Sequence, residues 1–376
     1  MINIHRRNFL KLTGSAMFAG LIPSSACSGE AGQDKASGRK ISPVIHASDL
    51  YHVHCDPDDH WDLACIYALA YSDLIDLQGI LIDYPIRENL GDPDVLGVAQ
   101  MNYYTGKVVP AVVGSPFLMK VRNDIQTYAG KRDHHGIMWL LETLRKTKEP
   151  VIINVVGTAT NIALASKKEP KLFKEKCKCI YLNAGSGYPG KDNQQEYNVT
   201  LDPSAYAAIF DVECPVYWMP CVEVAGIGET NQFGTYYRFR QGDILPYLPD
   251  KLKNFFLFML DRKKSHQWLT YLNSKPEDEL LLKYGKNNRA MWCTAGFLHS
   301  AGKKVTSDGK IINADSPEKG VYNFLPVEVS CDDKGFTTWK LEKQSKNRFI
   351  FQVADLQNYQ NAMTLAMKEL LLKLPV

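Results

Sequence analysis

The sequence has almost no net charge once its first residues are set aside. Its 376 residues include 44 lysines and arginines and 41 aspartates and glutamates. Residues 1–26 hold three of the basic residues, Arg6, Arg7 and Lys11, and no acidic residue, so 44 less three leaves 41 of each sign in the rest. A neutral chain lacks the basic surface that nucleic acid requires. We therefore expect no nucleic-acid partner.

The N-terminal apolar segment is too short to span a bilayer. It covers residues 12–22, about half of what a membrane-spanning helix needs. The twin arginines Arg6 and Arg7 precede it and the small residues 24–26 follow it, an order typical of a Tat export signal. We predict a signal peptide over residues 1–26.

Cleavage before Cys27 fits two export routes. An ordinary signal peptidase accepts the small residues that precede it, and a lipoprotein pathway would attach lipid to Cys27. Residues 27–40 are small, polar and glycine-rich, which predicts a flexible tether. We expect a protein that is periplasmic or lipid-anchored at the cell envelope, with membrane contact only through that lipid.

The sequence also lacks the cysteine spacing of a metal site. Of its nine cysteines, Cys177 and Cys179 are separated by one residue, and no second pair answers them. A Tat passenger folds in the reducing cytoplasm, so most of these thiols are expected in the core. The sequence leaves open whether Cys214 and Cys221 form a disulfide.

From residue 41 onward, short apolar segments alternate with amphipathic ones. The segment VIINVVG (151–157) is nearly continuous in β-branched residues, as expected for a strand buried on both faces. The next segment has helical periodicity and is broken at Pro170. This alternation predicts a single α/β domain, residues 41–376, with a mostly parallel central sheet flanked by helices.

The segment HCDPDDHWDLA (54–64) crowds four carboxylates in front of an apolar helical run. Helix capping accounts for Asp59 at the N-cap and Asp62 three residues later. It does not account for Asp56 and Asp58, whose repulsion a cation would offset. A hard divalent ion with oxygen ligands suits such a strand-to-helix turn, which lies where open α/β sheets bind ligands.

This segment resembles the N-terminal signature of the inosine/uridine-preferring nucleoside hydrolases, D-x-D-P-G-x-D-D-A, which holds calcium. Asp56-Pro57 matches the D-P pair and Asp62 the last aspartate, whereas His54 stands where the first aspartate belongs. Further similar segments follow in the family's order, at residues 134–137, 155–165, 181–187 and 195–210. The resemblance implies a nucleoside hydrolase-like fold.

The resemblance also implies an enzyme, an N-glycosyl hydrolase that cleaves ribonucleosides or related N-ribosides with one bound Ca²⁺. Asp56 would act as general base and also ligate the metal. The other implied metal ligands are Asp59, Asp62 and the backbone carbonyl of Val156. The implied substrate-binding residues are Asp83, His135, Asn183, Asn193, Glu196, Asn198 and Trp292.

One position departs from the family in a way that bears on catalysis. The family's His-Asp pair, a leaving-group acid and a calcium ligand, is replaced by Met291 and Trp292, which cannot fill those roles. His60, His134 and His135 remain alternative proton donors. The replacement leaves open a non-catalytic or differently specific sugar- or nucleoside-binding protein on the same fold. Either way the partner is a small nucleoside or sugar, and homo-oligomer formation stays open.

Overall fold

The computed structural model describes residues 41–53, 57–85, 91–188, 196–223 and 231–376. The predicted signal peptide and tether, together with His54, Asp56 and Asn193, lie outside these ranges. Residues 41–376 form one compact unit. Within the described ranges, no helix combines the length and apolar character needed to cross a membrane.

Most strands of the structure belong to one large sheet. The strands are β1 (Pro43–Ser48), β2 (Tyr51–His52), β3 (Asp76–Ile82), β4 (Asp92–Pro93), β5 (Ala111–Val113), β6 (Val151–Val155), β7 (Cys177–Leu182), β8 (Val216–Trp218), β9 (Tyr237–Arg240), β10 (Asn288–Met291), β11 (Lys303–Val305), β12 (Ile311–Asn313), β13 (Tyr322–Cys331), β14 (Thr337–Leu341) and β15 (Arg348–Val353). The large sheet has nine strands in the order β14-β13-β15-β8-β7-β6-β1-β3-β5. The remaining strands form two-stranded pairs, β2 with β4, β9 with β10 and β11 with β12.

The central sheet is mostly parallel, as the sequence predicts. Neighbouring strands from β15 to β5 pair in parallel, and β13 runs antiparallel to both β15 and β14. From β1 the chain adds β3 and β5 on one side, and later adds β6, β7, β8 and β15 on the other. The order thus reverses between β1 and β6, and in open α/β sheets ligands bind at the carboxyl ends of strands that flank such a switch point.

Helices cover both faces of this sheet. They are α1 (Asp58–Tyr71), α2 (Val95–Thr105), α3 (His135–Lys146), α4 (Thr160–Lys168), α5 (Pro170–Lys176), α6 (Tyr197–Leu201), α7 (Pro203–Ile209), α8 (Asp250–Leu260), α9 (Trp268–Leu272), α10 (Asp278–Gly285), α11 (Thr294–Ser300) and α12 (Tyr359–Leu371). One apolar cluster joins a face of the sheet to α1, α2, α8, α11 and α12. A second cluster joins the opposite face to α3, α4 and α7.

The predicted break at Pro170 is confirmed, and a second proline marks the start of α7. Helix α4 ends at Lys168 and α5 begins at Pro170, because proline cannot continue the preceding helix. Asp202 caps α7 by accepting a hydrogen bond from the Ala205 amide at 3.0 Å, with Pro203 at the first helical position.

Helix α1 is buried along almost its whole length. Every residue from Asp59 to Ala70 is buried, and Trp61 stacks on Phe256 with ring centroids 4.0 Å apart. The expected capping roles of Asp59 and Asp62 are wrong, because the helix begins at Asp58 and its N-cap, Pro57, makes no side-chain capping bond. Helix capping therefore does not explain why these two carboxylates are buried.

Candidate active site

The C-terminal ends of four adjacent strands bring polar residues together. Asp49 follows β1, Asp83 follows β3, Val156 follows β6 and Asn183 follows β7. Backbone hydrogen bonds of 2.9 Å extend the ladder to the last three, from Asp83 to Ser48, from Val156 to Ala47 and from Asn183 to Val155. These four positions lie at the switch point of the sheet.

Buried carboxylates from the first turns of α1 face this edge. Asp59 is 7% exposed and accepts a hydrogen bond from the Ser48 hydroxyl at 2.8 Å, and Asp62 is fully buried. Burial raises the pKa of Asp59 well above its usual value, and the charges of Asp49, Asp58 and Asp62 raise it further. Such a crowd of oxygen donors is the ligand type that a hard divalent cation prefers.

Asp83 holds the turn between β6 and α4. Its carboxylate accepts hydrogen bonds from the Thr158 amide at 2.6 Å, the Thr158 hydroxyl at 2.9 Å and the Asn161 side chain at 2.7 Å. Burial and the charge of Asp49 raise the pKa of Asp83 to about 8, against the effect of these hydrogen bonds. Both of its oxygens bind the protein, so a substrate contact, as predicted, would have to use a remaining lone pair.

Gly157 lets this turn approach the two strand ends closely. A Cβ atom added there would lie 2.5 Å from Asp83 Oδ2 and 2.7 Å from the Asp49 amide nitrogen. Only a residue without a side chain fits between these two aspartates. The glycine thereby allows Asp49, Asp83 and the carbonyl of Val156 to share one site.

Glu196 and Asn198, the predicted sugar-binding residues, reach the same strand ends from α6. Glu196 is the N-cap of α6 and accepts hydrogen bonds from the amides of Asn198 and Gly185, both at 2.9 Å. Burial raises its pKa, against the effect of these amides. The Asn198 side chain donates to the carbonyl oxygen of Val156 at 3.0 Å, which joins two predicted site residues 42 positions apart.

Asn183, in contrast, is occupied by contacts within the protein. Its amide group donates to the Met219 carbonyl at 2.8 Å and to the Thr235 hydroxyl at 3.1 Å. Its carbonyl oxygen accepts a hydrogen bond from the Cys293 thiol at 2.8 Å. The predicted contact of Asn183 with substrate stays a prediction, and the contacts seen show that it orders the end of β7.

Cys293 is a site residue that the sequence reasoning missed. It is buried, and its pKa is raised well above the usual value by burial and by the charges of Asp62 and Asp58. Trp292, the predicted binding residue beside it, is half-buried with its ring centroid 5.7 Å from that of Tyr236, and Met291 is fully buried. Cys293 directly follows Met291 and Trp292, the two residues that the resemblance sets at the family's His-Asp pair.

The three candidate proton donors have different surroundings. His60 is buried, and its Nε2 is hydrogen-bonded to Asp94 Oδ2 at 2.8 Å. His134 is also buried, and its Nε2 lies 3.1 Å from Gln126 Oε1. His135 is exposed at the start of α3. It lines a cleft of about 390 Å³ beside β5 together with Tyr84, the residue after Asp83, and is the one exposed histidine of the three.

The family signature, with Asp56-Pro57 as its D-P pair, puts His54 at its first position and leaves Asp49 outside it. The structure ends β1 at Ser48, so Asp49 is the first carboxylate after the strand. Its position beside Gly157 and Asp83 makes it part of the site. The signal available in the sequence was an aspartate directly after the apolar segment PVIHAS.

The fold and site together define an open α/β protein with a carboxylate-rich ligand site at the switch point of its sheet. The sequence profile described as inosine-uridine preferring nucleoside hydrolase matches residues 52–269. This is more than half of the chain, so the chain belongs to that family. The resemblance drawn from the motifs is confirmed.

Individual relatives agree with this assignment. The pyrimidine-specific ribonucleoside hydrolase RihA of Citrobacter koseri is 28% identical over 130 residues, which are 34% of this chain and 40% of the relative. RihA of Escherichia coli O1:K1 is 27% identical over 134 residues, again 40% of the relative. The chain therefore matches about two fifths of the length of these curated relatives.

A solved structure confirms the predicted fold class. The plant nucleoside hydrolase PpNRh1 superposes with a TM-score of 0.54 at 16% identity, covering 88% of this chain and 99% of that one. At this level of identity, the likeness establishes the fold, a mostly parallel sheet flanked by helices in a single domain.

Proposed function

We propose that this protein is an N-glycosyl hydrolase that cleaves the bond between base and ribose in ribonucleosides or related N-ribosides. The observation that carries the proposal is the buried carboxylate cluster at the switch point, with Glu196 and Asn198 beside it. Family membership supports it, and the matched relatives are named as ribonucleoside hydrolases.

The carboxylate cluster fits one calcium ion. Asp59 and Asp62 are buried among like charges, and the Val156 carbonyl lies at the adjoining strand end, so the donors are all oxygen, as calcium prefers. We infer that these three residues hold the ion together with Asp56, which precedes α1 and lies outside the described residues. A bound calcium ion would offset the negative charge and lower the pKa of a ligated water.

The sugar would be oriented by Glu196 and Asn198. The amides of Gly185 and Asn198 fix the Glu196 carboxylate, whose remaining lone pairs can accept hydrogen bonds from ribose hydroxyls. The side-chain amide of Asn198 donates one hydrogen bond to the Val156 carbonyl. Its side-chain oxygen can act as a further acceptor. Two fixed acceptors of this kind suit a pair of vicinal hydroxyls.

Bond cleavage would proceed by attack of water on the anomeric carbon. Asp56 accepts a proton from the water as its oxygen bonds to that carbon, and the electron pair of the broken carbon–nitrogen bond leaves with the base. The transition state has oxocarbenium character, so the surrounding carboxylates stabilise the positive charge that develops on the sugar.

Met291 and Trp292, which the resemblance sets at the family's His-Asp pair, carry no acidic group. Met291 is apolar and buried, and burial beside Asp62 raises the pKa of the Cys293 thiol, which makes it a poor proton donor. The exposed His135 is the remaining candidate of the three histidines. We infer that substrates whose leaving group needs no proton react faster than ordinary nucleosides.

An assay of three substrates tests the proposal. The mature protein with calcium should release ribose from inosine and uridine, and should cleave a nitrophenyl riboside faster than either. Asp56→Asn should abolish all three activities, because an amide cannot accept the water's proton. The control Asp315→Asn alters an exposed aspartate and should leave them unchanged.

Equal turnover of all three substrates would contradict the absence of an acid. No turnover of any, with nucleoside or sugar binding intact, would replace the hydrolase by the binding protein that the sequence left open.

We further propose that the protein is exported through its twin-arginine signal and resides in the periplasm or on the envelope through a lipid on Cys27. The arginine pair and the residues before Cys27 support this. Cell fractionation with Cys27→Ala tests the anchor. Release of the variant alone from the membrane supports lipidation, and equal partitioning opposes it.

A further inference from the structure

A second group of ligand-type side chains lies near the start of α1. His52 belongs to β2, His60 to the first turn of α1, and Asp94 is the N-cap of α2. One ring nitrogen or carboxylate oxygen from each lies within 4.8 Å of the others. Ligand atoms around a tetrahedral zinc ion are about 3.3 Å apart, so a modest side-chain adjustment would close the group around an ion.

The hydrogen bonding of His52 leaves its second ring nitrogen available as an acceptor. Its Nε2 lies 2.6 Å from the backbone carbonyl oxygen of Lys263, and a carbonyl only accepts, so Nε2 carries the proton. In the neutral ring Nδ1 is then an acceptor, and it is buried without a hydrogen-bond partner among the described residues. Metal-binding histidines are commonly oriented in this way, with one ring nitrogen on a carbonyl and the other on the ion.

His60 and Asp94 present two further ligand atoms. His60 is 1% exposed and its Nε2 lies 2.8 Å from Asp94 Oδ2. The second oxygen of Asp94 accepts the Gly97 amide at 2.8 Å, which fixes the carboxylate as the cap of α2. A proton can bridge His60 and Asp94, and a metal ion can take its place.

The surroundings of the group are apolar. The ring of His52 stacks on Phe258 with centroids 5.7 Å apart, and Phe255 lies 6.1 Å from the ring of His60. An apolar shell limits access of water to the ligands and strengthens their hold on an ion.

We propose that His52, His60 and Asp94 bind one transition-metal ion of the zinc type. Two imidazole nitrogens and one carboxylate oxygen suit zinc or cobalt, whereas calcium prefers oxygen ligands alone. None of its three ligands belongs to the set assigned to the carboxylate cluster, so the proposal is of a second ion. A bound ion ties β2, α1 and α2 together and steadies the helix turn that carries Asp59 and Asp62.

Cobalt substitution tests this proposal on the mature protein. After treatment with a chelator, Co²⁺ should bind at one ion per chain and give the visible absorption of a tetrahedral site. Zn²⁺ should remove the absorption, and millimolar Ca²⁺ should not. His52→Gln should abolish the absorption, and the control His266→Gln, at an exposed histidine outside the group, should retain it.

A third variant separates this site from the proposed calcium site. Asp62→Asn should retain the cobalt absorption, and its loss in that variant would overturn the assignment of separate sites. Absence of bound cobalt in the wild type, or equal binding by His52→Gln, would overturn the proposal.

If His52→Gln does not fold, the X-ray absorption spectrum of the cobalt-loaded wild type decides. Two nitrogen ligands support the site and an oxygen-only sphere rejects it. None of these results depends on hydrolysis of a nucleoside.

Discussion

Two buried carboxylates lie near the first turns of α1, Asp59 on one side and Asp94 on the other. They differ in which groups surround them. We call the side of Asp59 uncompensated, because its neighbours are carboxylates, and the side of Asp94 compensated, because His60 lies against it. Asp59 lies among carboxylates, and burial and those neighbours raise its pKa. Asp94 lies against His60, and although burial acts to raise its pKa, the hydrogen bond and charge of His60 lower it overall. The lowered pKa of Asp94 has its cause in a hydrogen-bonded partner within the chain. The raised pKa of Asp59 favours either protonation of its carboxyl or the binding of a cation beside it.

The largest expected effect is on activity. Asp62→Asn removes a proposed calcium ligand from the uncompensated side, so kcat/KM for nucleosides should fall by at least about 100-fold. Measuring calcium affinity alongside kcat/KM links the two losses. Retention of both by the variant would show that this side needs no cation.

The compensated side should instead lose stability. Asp94→Asn leaves His60 facing a neutral group in a buried place, which should lower the free energy of unfolding by about 3 kcal/mol in urea denaturation. Asp315→Asn, at an exposed position, serves as the control. A change below about 0.5 kcal/mol, the size typical of surface sites, would mean that His60 and Asp94 do not compensate each other.

The response to pH should sharpen the comparison. The pKa of Asp83 is raised to about 8, so its contribution to stability is present below its unfolded value near 4 and is lost as pH rises through about 8. In calcium-free buffer this loss is at most about 1.4 kcal/mol per pH unit for each such carboxyl. Melting curves from pH 5 to 8 should therefore show falling stability, with a smaller fall in Asp83→Asn.

Calcium should reverse that fall. At a concentration one hundred times its dissociation constant, a ligand that binds only the folded state adds about 2.7 kcal/mol, and ionised carboxylates bind it best. The stabilisation should be greater at pH 8 than at pH 5. Equal stabilisation at both values would contradict a cluster that is partly protonated without the ion.

The smallest expected effect concerns Cys293. Cys293→Ser keeps a donor to Asn183 and removes only the bulk of sulfur, so stability should change by about 1 kcal/mol or less. Cys293→Asp would add a carboxylate beside Asp62 and should lower stability without calcium. Stabilisation by that aspartate in calcium-free buffer would show that the cluster is not short of positive charge.

The sequence predicted the sheet and its layers well because the apolar pattern of a buried strand and the breaks at proline are local features. It also indicated Glu196 and Asn198 as site residues, and the Asn198 side chain donates a hydrogen bond to the Val156 carbonyl. Their contact with a sugar stays a prediction. The sequence carries weaker signals for Asp49 and Cys293. Both depend on where β1 and β10 end relative to α1, which is a property of three-dimensional packing.

The grouping of His52, His60 and Asp94 was equally hidden. The sequence indicates His60 only as a candidate proton donor, and β4, which directly precedes Asp94, is two residues long. Such a short strand carries no periodicity that a sequence can show. Its pairing with β2 depends on the rest of the fold.

The position of β15 bears on how the protein is made. Strand β8 ends at Trp218, but its outer neighbour is β15, which begins at Arg348. During synthesis, β8 can pair with β15 only after some 130 further residues have been made. Until then the edge of β8 is open to pairing with other chains. Chains that terminate early should therefore aggregate instead of folding in part.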